Sequence, residues 1–362
     1  MRASLNARLG GARTQPRIAL VMIARDEAAS IARCLDSVRG VVDELIVLDT
    51  GSTDATMVIA RDNGALVYQW PWRDDFAAAR NEALSYSKAD WNLVLDADEW
   101  LLGDGQLLRQ AVQQAADVGQ SFVGVLPIHS RVEATPPIDQ AVTEVQTVVS
   151  WIPRLLPHGV LYAGRIHEQP VSDLPRQRLA VEVGHDGYRW QSMLQKKGRN
   201  RQLLMEALTT DPDSPYLYYQ LGKDYDVYAE PALALDCYEK ALHRVLPNQG
   251  YRIDLVVRTI VCLTRVGALE LGYQFAEDEM ENCRQSPDFF YVLAELLCAL
   301  AAKQPDQGLG HWLPLARVSL LFCLSIGDSP DIIGSVSGRG NHLAAHSLAM
   351  LDQWLAQLAV PV

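Results

Sequence analysis

The chain lacks an apolar run long enough to cross a bilayer, which takes roughly 20 residues in a helix. The longest candidate, Phe289–Ala302, is too short and contains Glu295, so we interpret it as a buried helix. We expect no secretion signal either, because the basic start Met1–Arg17 is followed by only a short apolar segment, Ile18–Ala24, and then by charged residues. We interpret that segment as a strand and expect no transmembrane segment.

Cysteine pairs of the Cys-x-x-Cys type are absent, although the chain has six cysteines. They are Cys34, Cys237, Cys262, Cys283, Cys298 and Cys323, and most of them lie within apolar helical patterns. Such positions indicate small core residues in a reducing compartment rather than a disulfide framework or a zinc site. We therefore expect a soluble, cytoplasmic protein.

Positive charge is scarce as well. Lysine and arginine number 32 against 44 aspartates and glutamates, which gives a formal net charge of -12. A chain this acidic is a poor partner for nucleic acid, whose phosphates require basic surfaces. Its 362 residues are nevertheless enough for two domains, each with a core of its own.

Strand and helix patterns alternate over the first half of the chain. Buried strands are predicted at 18–23, 44–48, 65–69 and 91–95, with helices between them at 28–38, 55–63 and 75–88. Such alternation predicts an α/β fold with a mostly parallel, doubly wound sheet and crossover helices on both faces. Residues 1–16 are predicted to be a disordered lead, and the α/β domain to span 17–190.

From Asn200 onward only helical patterns occur. Large and small residues follow the spacing of a tetratricopeptide repeat at Tyr218, Leu221, Gly222, Tyr225, Ala234, Tyr238 and Ala241. A degenerate second repeat follows around Ala294 and Ala316. We predict an all-α, tetratricopeptide-like domain over 191–362, whose last helix caps the array or forms a homodimer. The segment 327–340, rich in Gly and Ser, is predicted to be a mobile loop.

Two carboxylates follow the predicted strand Trp91–Leu95 directly. Asp96 and Asp98 stand two residues apart at a strand end, where open α/β sheets bind their ligands. Carboxylate oxygens at that spacing suit Mg2+ or Mn2+ and leave positions open for a diphosphate. The alternative is that Asp98 caps a following helix and its neighbours are solvated.

Two other enzyme classes share parts of these motifs. The Asp-Thr-Gly turn Asp49–Gly51 matches aspartic proteases, but these need a second copy within an all-β frame. The Asp-Ala-Asp turn Asp96–Asp98 resembles a phosphatase nucleophile motif, but Trp100 stands where that motif has Thr. Neither class therefore accounts for the whole pattern.

Five motifs together resemble family 2 glycosyltransferases with a GT-A fold. They are Ile23–Glu27, Asp43–Glu44, Asp49–Asp54, Asp75–Asn81 and Leu95–Glu99, in the order and spacing of the family. The resemblance implies a Rossmann-like GT-A domain that transfers a sugar from a nucleotide diphosphate donor. The chain departs from the family at Asp26, where Asn is usual.

The resemblance also implies donor-site roles. It assigns Asp49 to the base, Asp96 to the ribose or diphosphate, and Asp98 to the metal, Mn2+ or Mg2+. The expected donor contacts are completed by Ala24, Arg25, Glu27, Gly51, Arg80, Asn81 and Ala97. Arg80 and Asn81 suit a phosphate or the donor sugar, and the alternative for Arg80 is an ion pair with Asp96 or Asp98.

The segment Gly164–Gln169 supplies the candidate base. An inverting sugar transfer needs a group that takes the acceptor's proton, and we expect Glu168 to do so with His167 orienting it. The sequence Gly-Arg-Ile-His-Glu also resembles a turn that faces the acceptor in bacterial family 2 members. The alternative is a surface hairpin with an ion pair between Arg165 and Glu168.

Further candidates follow the predicted strand 179–183. His185 is a candidate metal ligand because imidazole binds Mn2+, and a buried structural histidine is the alternative. Positive charge then concentrates at Arg189, Lys196 and Arg199. We predict that these residues either cover the phosphates as a lid or form an exposed helix face.

Together these features predict a metal-dependent, inverting glycosyltransferase, a hexosyltransferase that uses a UDP-sugar. Helical repeats fused to such a domain favour a peptide or protein acceptor, as in enzymes that glycosylate Cys or Ser of bacterial peptides. Lipopolysaccharide core or another glycan is the alternative acceptor. From a different class, the alternative is a repeat-based scaffold with an inactive transferase domain.

Overall fold

The computed structural model describes residues 15–133, 145–188 and 198–358. Most of the predicted disordered lead and both Arg189 and Lys196 lie outside these ranges. The chain divides into two compact units that interleave along the sequence. Unit 1 comprises Met1–Pro127, Ile152–Ala163 and Glu168–Gly184, and unit 2 comprises Ile128–Trp151, Gly164–His167 and His185–Val362. The domain limit at residue 190 stays a prediction.

Unit 1 begins with four parallel strands separated by helices. The elements are β1 (Ile18–Ala24), α1 (Ile31–Ser37), β2 (Glu44–Asp49), α2 (Thr56–Asp62), β3 (Leu66–Gln69), α3 (Phe76–Ser85) and β4 (Trp91–Val94). β1 pairs in parallel with β2 and β4, and β2 pairs in parallel with β3. The chain moves outward from β1 to β3 and then returns to the other side of β1. Strand order therefore reverses at β1, the position at which open α/β sheets bind ligands.

The composition of these strands explains why they form the centre of the sheet. Nearly every residue of β1 and the last four residues of β2 are buried, so the strands have apolar neighbours on both faces. Ile18, Leu20, Ile46 and Leu48 are all completely buried. On α3, Asp75 caps the helix, because its Oδ1 accepts a hydrogen bond from Ala78 N at 2.8 Å.

The remaining strands make the sheet mixed. They are β5 (Glu99–Leu102), β6 (Val123–Glu133), β7 (Val145–Pro157), β8 (Leu161–Ala163), β9 (Gln169–Val171), β10 (Arg176–Arg178) and β11 (Glu182–Tyr188), with α4 (Gln106–Val118) after β5. The main sheet has the order β3-β2-β1-β4-β7-β6-β11-β5, while β8 and β9 form a separate pair. β7 runs antiparallel to β4, with Leu155 opposite Leu93. The sequence did not predict β5.

Unit 2 is mainly helical, which confirms the predicted fold class of an α/β part followed by helices. Its helices are α5 (Arg199–Thr210), α6 (Pro215–Val227), α7 (Pro231–Leu242), α8 (Arg252–Arg265), α9 (Leu269–Glu279), α10 (Pro287–Lys303), α11 (Leu313–Ile326) and α12 (His342–Leu358). In the predicted repeat, α6 packs on α7 through Gly222, where an added Cβ would lie 2.3 Å from the ring of the fully buried Tyr238. The small residue thus sets the close approach of the two helices.

Two apolar helical segments of unit 2 differ in burial. α10 lies in the helical core as predicted, with Phe289, Leu293 and Leu297 each at most 3% exposed. Among the described residues a single helical segment, Pro305–Ile326, is long and apolar enough to cross a membrane by its 22-residue length and composition alone, and 28% of its most apolar window is buried. It comprises a helical turn, a π-helical turn and α11.

The segment predicted to be a mobile loop contains a short strand instead. β12 (Ser335–Val336) pairs antiparallel with Val148–Val149 of β7. Asp288 Oδ1 accepts a hydrogen bond from Val336 N at 3.1 Å, and Asp328 Oδ1 accepts hydrogen bonds from two further backbone amides of the segment. Side-chain carboxylates therefore accept hydrogen bonds from backbone N–H groups of this segment.

All six cysteines are free thiols, and five of them are buried, as expected for small core residues. Cys298 on α10 is exposed. Burial raises the pKa of Cys34 on α1, and the negative charges of Glu99, Asp96 and Asp98 raise it further. This thiol therefore stays protonated at neutral pH and is a poor nucleophile.

Candidate active site

The predicted donor residues meet at one edge of the parallel strands. Ala24, the last residue of β1, is in register with Asp49, the last residue of β2. On the other side of β1, β4 ends at Val94 and the chain continues into the acidic turn Asp96–Glu99. Carboxylates thus lie at or just after the ends of β2 and β4, the two strands that flank β1, where strand order reverses.

Asp49 presents an unpaired oxygen. Its side chain is 1% exposed, and its Oδ1 accepts hydrogen bonds from Gly51 N and Ser52 N, both at 3.0 Å. Gly51 has a φ of +114°, a backbone conformation that side chains disfavour, and this conformation directs its N–H toward the carboxylate. Asp49 Oδ2 is buried and has no hydrogen-bond partner in the described structure. Such an atom is costly to leave unpaired, so a ligand N–H at this position would be favoured.

The turn after β1 is tied to the turn after β2 by Asp26. This residue has a φ of +54°, and its Oδ1 accepts hydrogen bonds from Thr53 N at 2.7 Å and Thr53 Oγ1 at 3.1 Å. Asp, like Asn, tolerates the left-handed conformation, which gives a physical reason for the departure from the family pattern. Arg25 and Glu27 lie in the same turn, and their contacts with a donor stay predictions.

Asp96 lies between two buried arginines. Its Oδ1 accepts from Arg80 Nη2 at 2.7 Å and its Oδ2 from Arg154 Nη2 at 2.8 Å, while 36% of its side chain remains exposed. Burial alone would raise the pKa of Asp96, but the guanidinium groups of Arg80 and Arg154 outweigh that effect and hold it far below its usual range. The carboxylate is therefore ionised at neutral pH, and its exposed part is available to a donor. Ala97 beside it is buried.

Arg80 links this turn to the candidate base. Its Nε donates to Glu168 Oε1, and both side chains are largely buried, at 7% and 10% exposure. Arg165, the alternative partner of Glu168, has an ion pair with Glu206 at 3.4 Å. Arg80 Nη1 is buried without a hydrogen-bond partner. Arg80 thus makes the ion pair that the sequence left as an alternative, and one of its nitrogens remains unsatisfied.

Asn81, the next residue on α3, is held by backbone. Its Oδ1 accepts from Tyr162 N at 2.8 Å, and its Nδ2 donates to Tyr162 O at 2.9 Å. These two bonds attach β8 to α3. The two hydrogen bonds give Asn81 a structural role that needs no nucleotide-sugar. Its contact with the donor stays a prediction.

His167 stands immediately before Glu168 in a strained turn. It has a φ of +51°, which is unusual for a residue with a side chain. Burial lowers the pKa of His167 to about 3, and the positive charge of Lys223 contributes to the shift. The imidazole is therefore neutral at physiological pH, and its predicted role in orienting Glu168 stays a prediction.

His185 and Arg199 have local partners. The Nδ1 atom of His185, a half-buried residue of β11, lies 2.9 Å from Ser130 Oγ. Arg199 is exposed at the start of α5 and donates from Nη2 to Asn200 Oδ1 at 3.2 Å. The metal role of His185 and the lid formed by the basic residues stay predictions.

The donor set of the acidic turn fits a divalent cation that is shared with a ligand. Across the described residues, no three His, Cys, Asp or Glu side chains are grouped so as to hold a metal ion. A cation at the half-buried Asp98 would have to complete its shell with diphosphate oxygens and water. That is the usual arrangement of Mg2+ with nucleotide ligands, and carboxylate oxygen is the appropriate donor for both Mg2+ and Mn2+.

Sequence reasoning missed Arg154 and the burial of Glu99. Arg154 Nη2 donates to Glu99 Oε1 at 2.5 Å, across 55 positions of the chain, and the two side chains are 7% and 2% exposed. A signal was present, because Arg154 interrupts an otherwise apolar strand at Ile152–Leu156. A buried arginine requires a carboxylate partner, and this one is found at the acidic turn.

Parts of the chain are similar to known proteins. Residues 19–141 match a family model described as glycosyl transferase family 2. The SPbeta prophage-derived glycosyltransferase SunS of Bacillus subtilis is 26% identical over 254 residues, which is 67% of this chain and 57% of that protein. A TPR repeat-containing protein of Synechococcus elongatus is 55% identical over 94 residues, 26% of this chain and 23% of that protein.

A solved structure is also similar in part. Glucosyl-3-phosphoglycerate synthase from Mycobacterium tuberculosis, in complex with Mn2+, UDP and glucosyl-3-phosphoglycerate, aligns with a TM-score of 0.26 and 27% identity. The alignment covers 32% of this chain and 44% of that one. The chain thus spans less than two thirds of the length of each of these three proteins.

Proposed function

We propose that this chain, whose residues 19–141 match the glycosyl transferase family 2 model, is a metal-dependent, inverting glycosyltransferase that uses a UDP-sugar. The observation that carries the proposal is the placement of Asp49 and the acidic turn on either side of the end of β1, where strand order reverses. A nucleotide bound at this edge would have its base beside Asp49 and its diphosphate beside Asp96 and Asp98. Arg25, Glu27, Gly51 and Ala97 lie in the loops at the same edge, and Arg80 and Asn81 lie on α3.

The unpaired oxygen of Asp49 supports uridine as the nucleoside. The imide N–H of uracil is a hydrogen-bond donor, whereas the corresponding ring nitrogen of cytosine is an acceptor. A buried carboxylate oxygen with no partner therefore favours uracil, and rejects a base that presents a lone pair to it. Gly51 and Ser52 hold the other oxygen and so fix the direction of the free one.

The charges around the acidic turn support a divalent cation. Two guanidinium groups, those of Arg80 and Arg154, face the three carboxylates of Asp96, Glu99 and Glu168. Asp98 adds a further negative charge to the same turn, so the cluster carries an excess of two negative charges. When bound at Asp98, Mn2+ or Mg2+ would supply positive charge that stabilises the departing diphosphate.

Glu168 is the proposed base. Its carboxylate is positioned by Arg80, whose other nitrogen holds Asp96, so the base and the donor side are joined through one buried side chain. In-line attack on the anomeric carbon requires the base to face the side opposite the leaving diphosphate. For the acceptor we propose a peptide or protein side chain, because stacked helical repeats form extended surfaces suited to polypeptides.

Thermal unfolding with and without ligands tests the proposal. UDP should raise the melting temperature more in the presence of Mn2+ than in its absence, because a ligand that binds only the folded state stabilises it. Asp98→Ala should lose the part of the shift that depends on Mn2+, while Asp62→Ala, which removes an exposed carboxylate of α2, should keep it. A panel of UDP-sugars in the same assay identifies the donor. A separate measurement of the hydrolysis of that UDP-sugar then distinguishes an enzyme from an inactive scaffold, because only the enzyme hydrolyses it. An Asp98→Ala variant that binds UDP with Mn2+ as tightly as the parent refutes the metal site.

A further inference from the structure

Glu99 and Arg154 close a ring of hydrogen bonds around the acidic turn. Arg154 Nη2 donates to Asp96 Oδ2 at 2.8 Å and to Glu99 Oε1 at 2.5 Å. Glu99 Oε2 accepts from the backbone N–H of Asp96 at 3.1 Å, and the backbone N–H of Glu99 donates to Asp96 O at 3.0 Å. The first and last residues of the turn are thus fixed both by backbone and by side chains.

Stability does not by itself explain a buried pair of charges at this place. Glu99 and Arg154 are 2% and 7% exposed, so both ions have lost most of their hydration. An apolar pair of the same volume is often as stable as a buried ion pair, or more so. The pair differs from an apolar pair in one respect, since it makes directional bonds to both the side chain and the backbone of Asp96.

Asp98 belongs to the turn that these hydrogen bonds close. It lies between Asp96 and Glu99, the two residues whose backbone and side chains are held, and it is half-buried. Groups that hold a metal ligand in place determine much of the affinity of a metal site, since a ligand that must be ordered on binding binds more weakly. Arg154 belongs to β7, which pairs with β4, so the anchor is built into the sheet.

From these contacts we propose that Glu99 and Arg154 are positioning residues, which hold the turn so that the Asp98 carboxylate is in place for the divalent cation before it arrives. The inference rests on the proposed function and adds to it two residues that touch neither donor nor metal. Removing either residue should weaken the binding of the cation while leaving the contacts of the nucleoside base intact.

Titration of Mn2+ at a fixed concentration of UDP tests this inference. The variants are Glu99→Gln and Arg154→Met, and the matched control is Arg109→Met, which removes an ion pair with Asp43 at 2.8 Å elsewhere in the same unit. We expect Glu99→Gln and Arg154→Met to raise the Mn2+ midpoint about 10- to 100-fold, as loss of a supporting residue does in other metal sites. Their affinity for UDP without metal should change much less than the Mn2+ midpoint does. In the control, both the Mn2+ midpoint and the affinity for UDP should stay within about twofold of the parent.

Two further variants separate positioning from folding. Arg154→Lys retains a positive charge and should recover part of the Mn2+ affinity, even if Arg154→Met fails to fold. In an Asp98→Ala background, Glu99→Gln should cause no further loss of Mn2+ dependence, because the ligand it positions is gone. A purely structural role would instead lower the melting temperature without moving the Mn2+ midpoint.

The outcomes distinguish this inference from the proposed function. If the parent binds UDP with Mn2+ and the folded variants have the parent's midpoint, the positioning role is wrong and the proposed function stands. If the parent itself shows no Mn2+-dependent binding of UDP, both are wrong. Additive losses for Glu99→Gln and Asp98→Ala also contradict the inference, since they would mean that the two residues act independently.

Discussion

Asp96 and Glu168 are bound by one guanidinium group. Arg80 donates from Nη2 to Asp96 Oδ1 at 2.7 Å and from Nε to Glu168 Oε1, and its own side chain is 7% exposed. Asp96 belongs to the proposed donor side and Glu168 is the proposed base. Because a guanidinium group is planar and rigid, it fixes the direction of each carboxylate relative to the other.

Glu168→Gln should separate binding from transfer. The amide keeps the size of the side chain but cannot take a proton, so hydrolysis of the UDP-sugar should fall by at least about 100-fold while UDP affinity changes little. Initial rates at saturating donor and calorimetric titration of UDP measure the two quantities. Asp173→Asn, which neutralises an exposed carboxylate after β9, should leave both unchanged. An active Glu168→Gln variant would place the base elsewhere.

Arg80→Lys should weaken both donor binding and the transfer step. A lysine ammonium is a single point of charge and cannot hold two carboxylates in the geometry of the guanidinium fork. We therefore expect a lower kcat together with a higher KM for the donor, in contrast to the loss of kcat alone in Glu168→Gln. A change confined to kcat would indicate that Arg80 acts on Glu168 and not on Asp96.

Asp49→Asn should change the preference for the base. An amide nitrogen in place of the unpaired Oδ2 is a donor, which opposes the imide N–H of uracil and suits the ring nitrogen of cytosine. Affinity for UDP should drop by roughly 10-fold or more, and the ratio of UDP to CDP affinity should narrow. Competition between the two nucleotides in one binding assay measures this. If the ratio stays the same while both affinities drop, Asp49 supports the turn and does not contact the base.

Gly222→Ala should destabilise the helical unit. The new methyl group would lie 2.3 Å from the buried ring of Tyr238, so α6 and α7 would have to separate. Overpacking of this kind costs about 1–3 kcal/mol, which outweighs the gain in helix propensity of alanine over glycine. Urea unfolding monitored by circular dichroism measures the change. Gly310→Ala, with nothing within 4 Å of the added methyl group, is the control and should not lower stability.

His167 should make the protein less stable in acid. The folded protein holds its pKa at about 3, against 6.5 for an unperturbed histidine, so below about pH 6.5 the unfolded chain takes up a proton that the folded protein does not. The unfolded state then binds more protons, and stability falls as the pH is lowered from about 6.5 to about 3. His167→Asn, which tolerates the same backbone conformation, should flatten this decline in urea unfolding at a series of pH values. His158→Asn, a change at an exposed histidine, should leave the decline as steep as in the parent.

The parallel core of the fold was predictable because its strands are buried on both faces. Continuous apolar runs at β1, β2 and β4, with amphipathic helices between them, leave few other arrangements. β5 was not predictable in the same way, because Glu99–Leu102 follows a turn and is too short to show an alternation of apolar and polar residues. β12 is two residues long and exists only because β7 offers it a partner.

The candidate site was predictable where its residues are close in sequence. Asp49 and the acidic turn stand at strand ends, so the topology alone brings them to one edge. The partners of Arg80 and Arg154 are separated from them by up to 88 positions, and no local pattern specifies such pairs. An arginine in an apolar strand shows that a carboxylate must be near, but not which one.

The pairing of β12 with β7 has a practical consequence for dissecting the chain. A fragment that stops at residue 190 would contain Val148–Val149 without Ser335–Val336, and its strand edge would be open to other chains. A fragment that starts at residue 191 would leave β12 with nothing to pair with. Expressed alone, either half is prone to aggregate or to lose activity for reasons unrelated to its chemistry, so point substitutions in the intact chain are the safer way to assign roles.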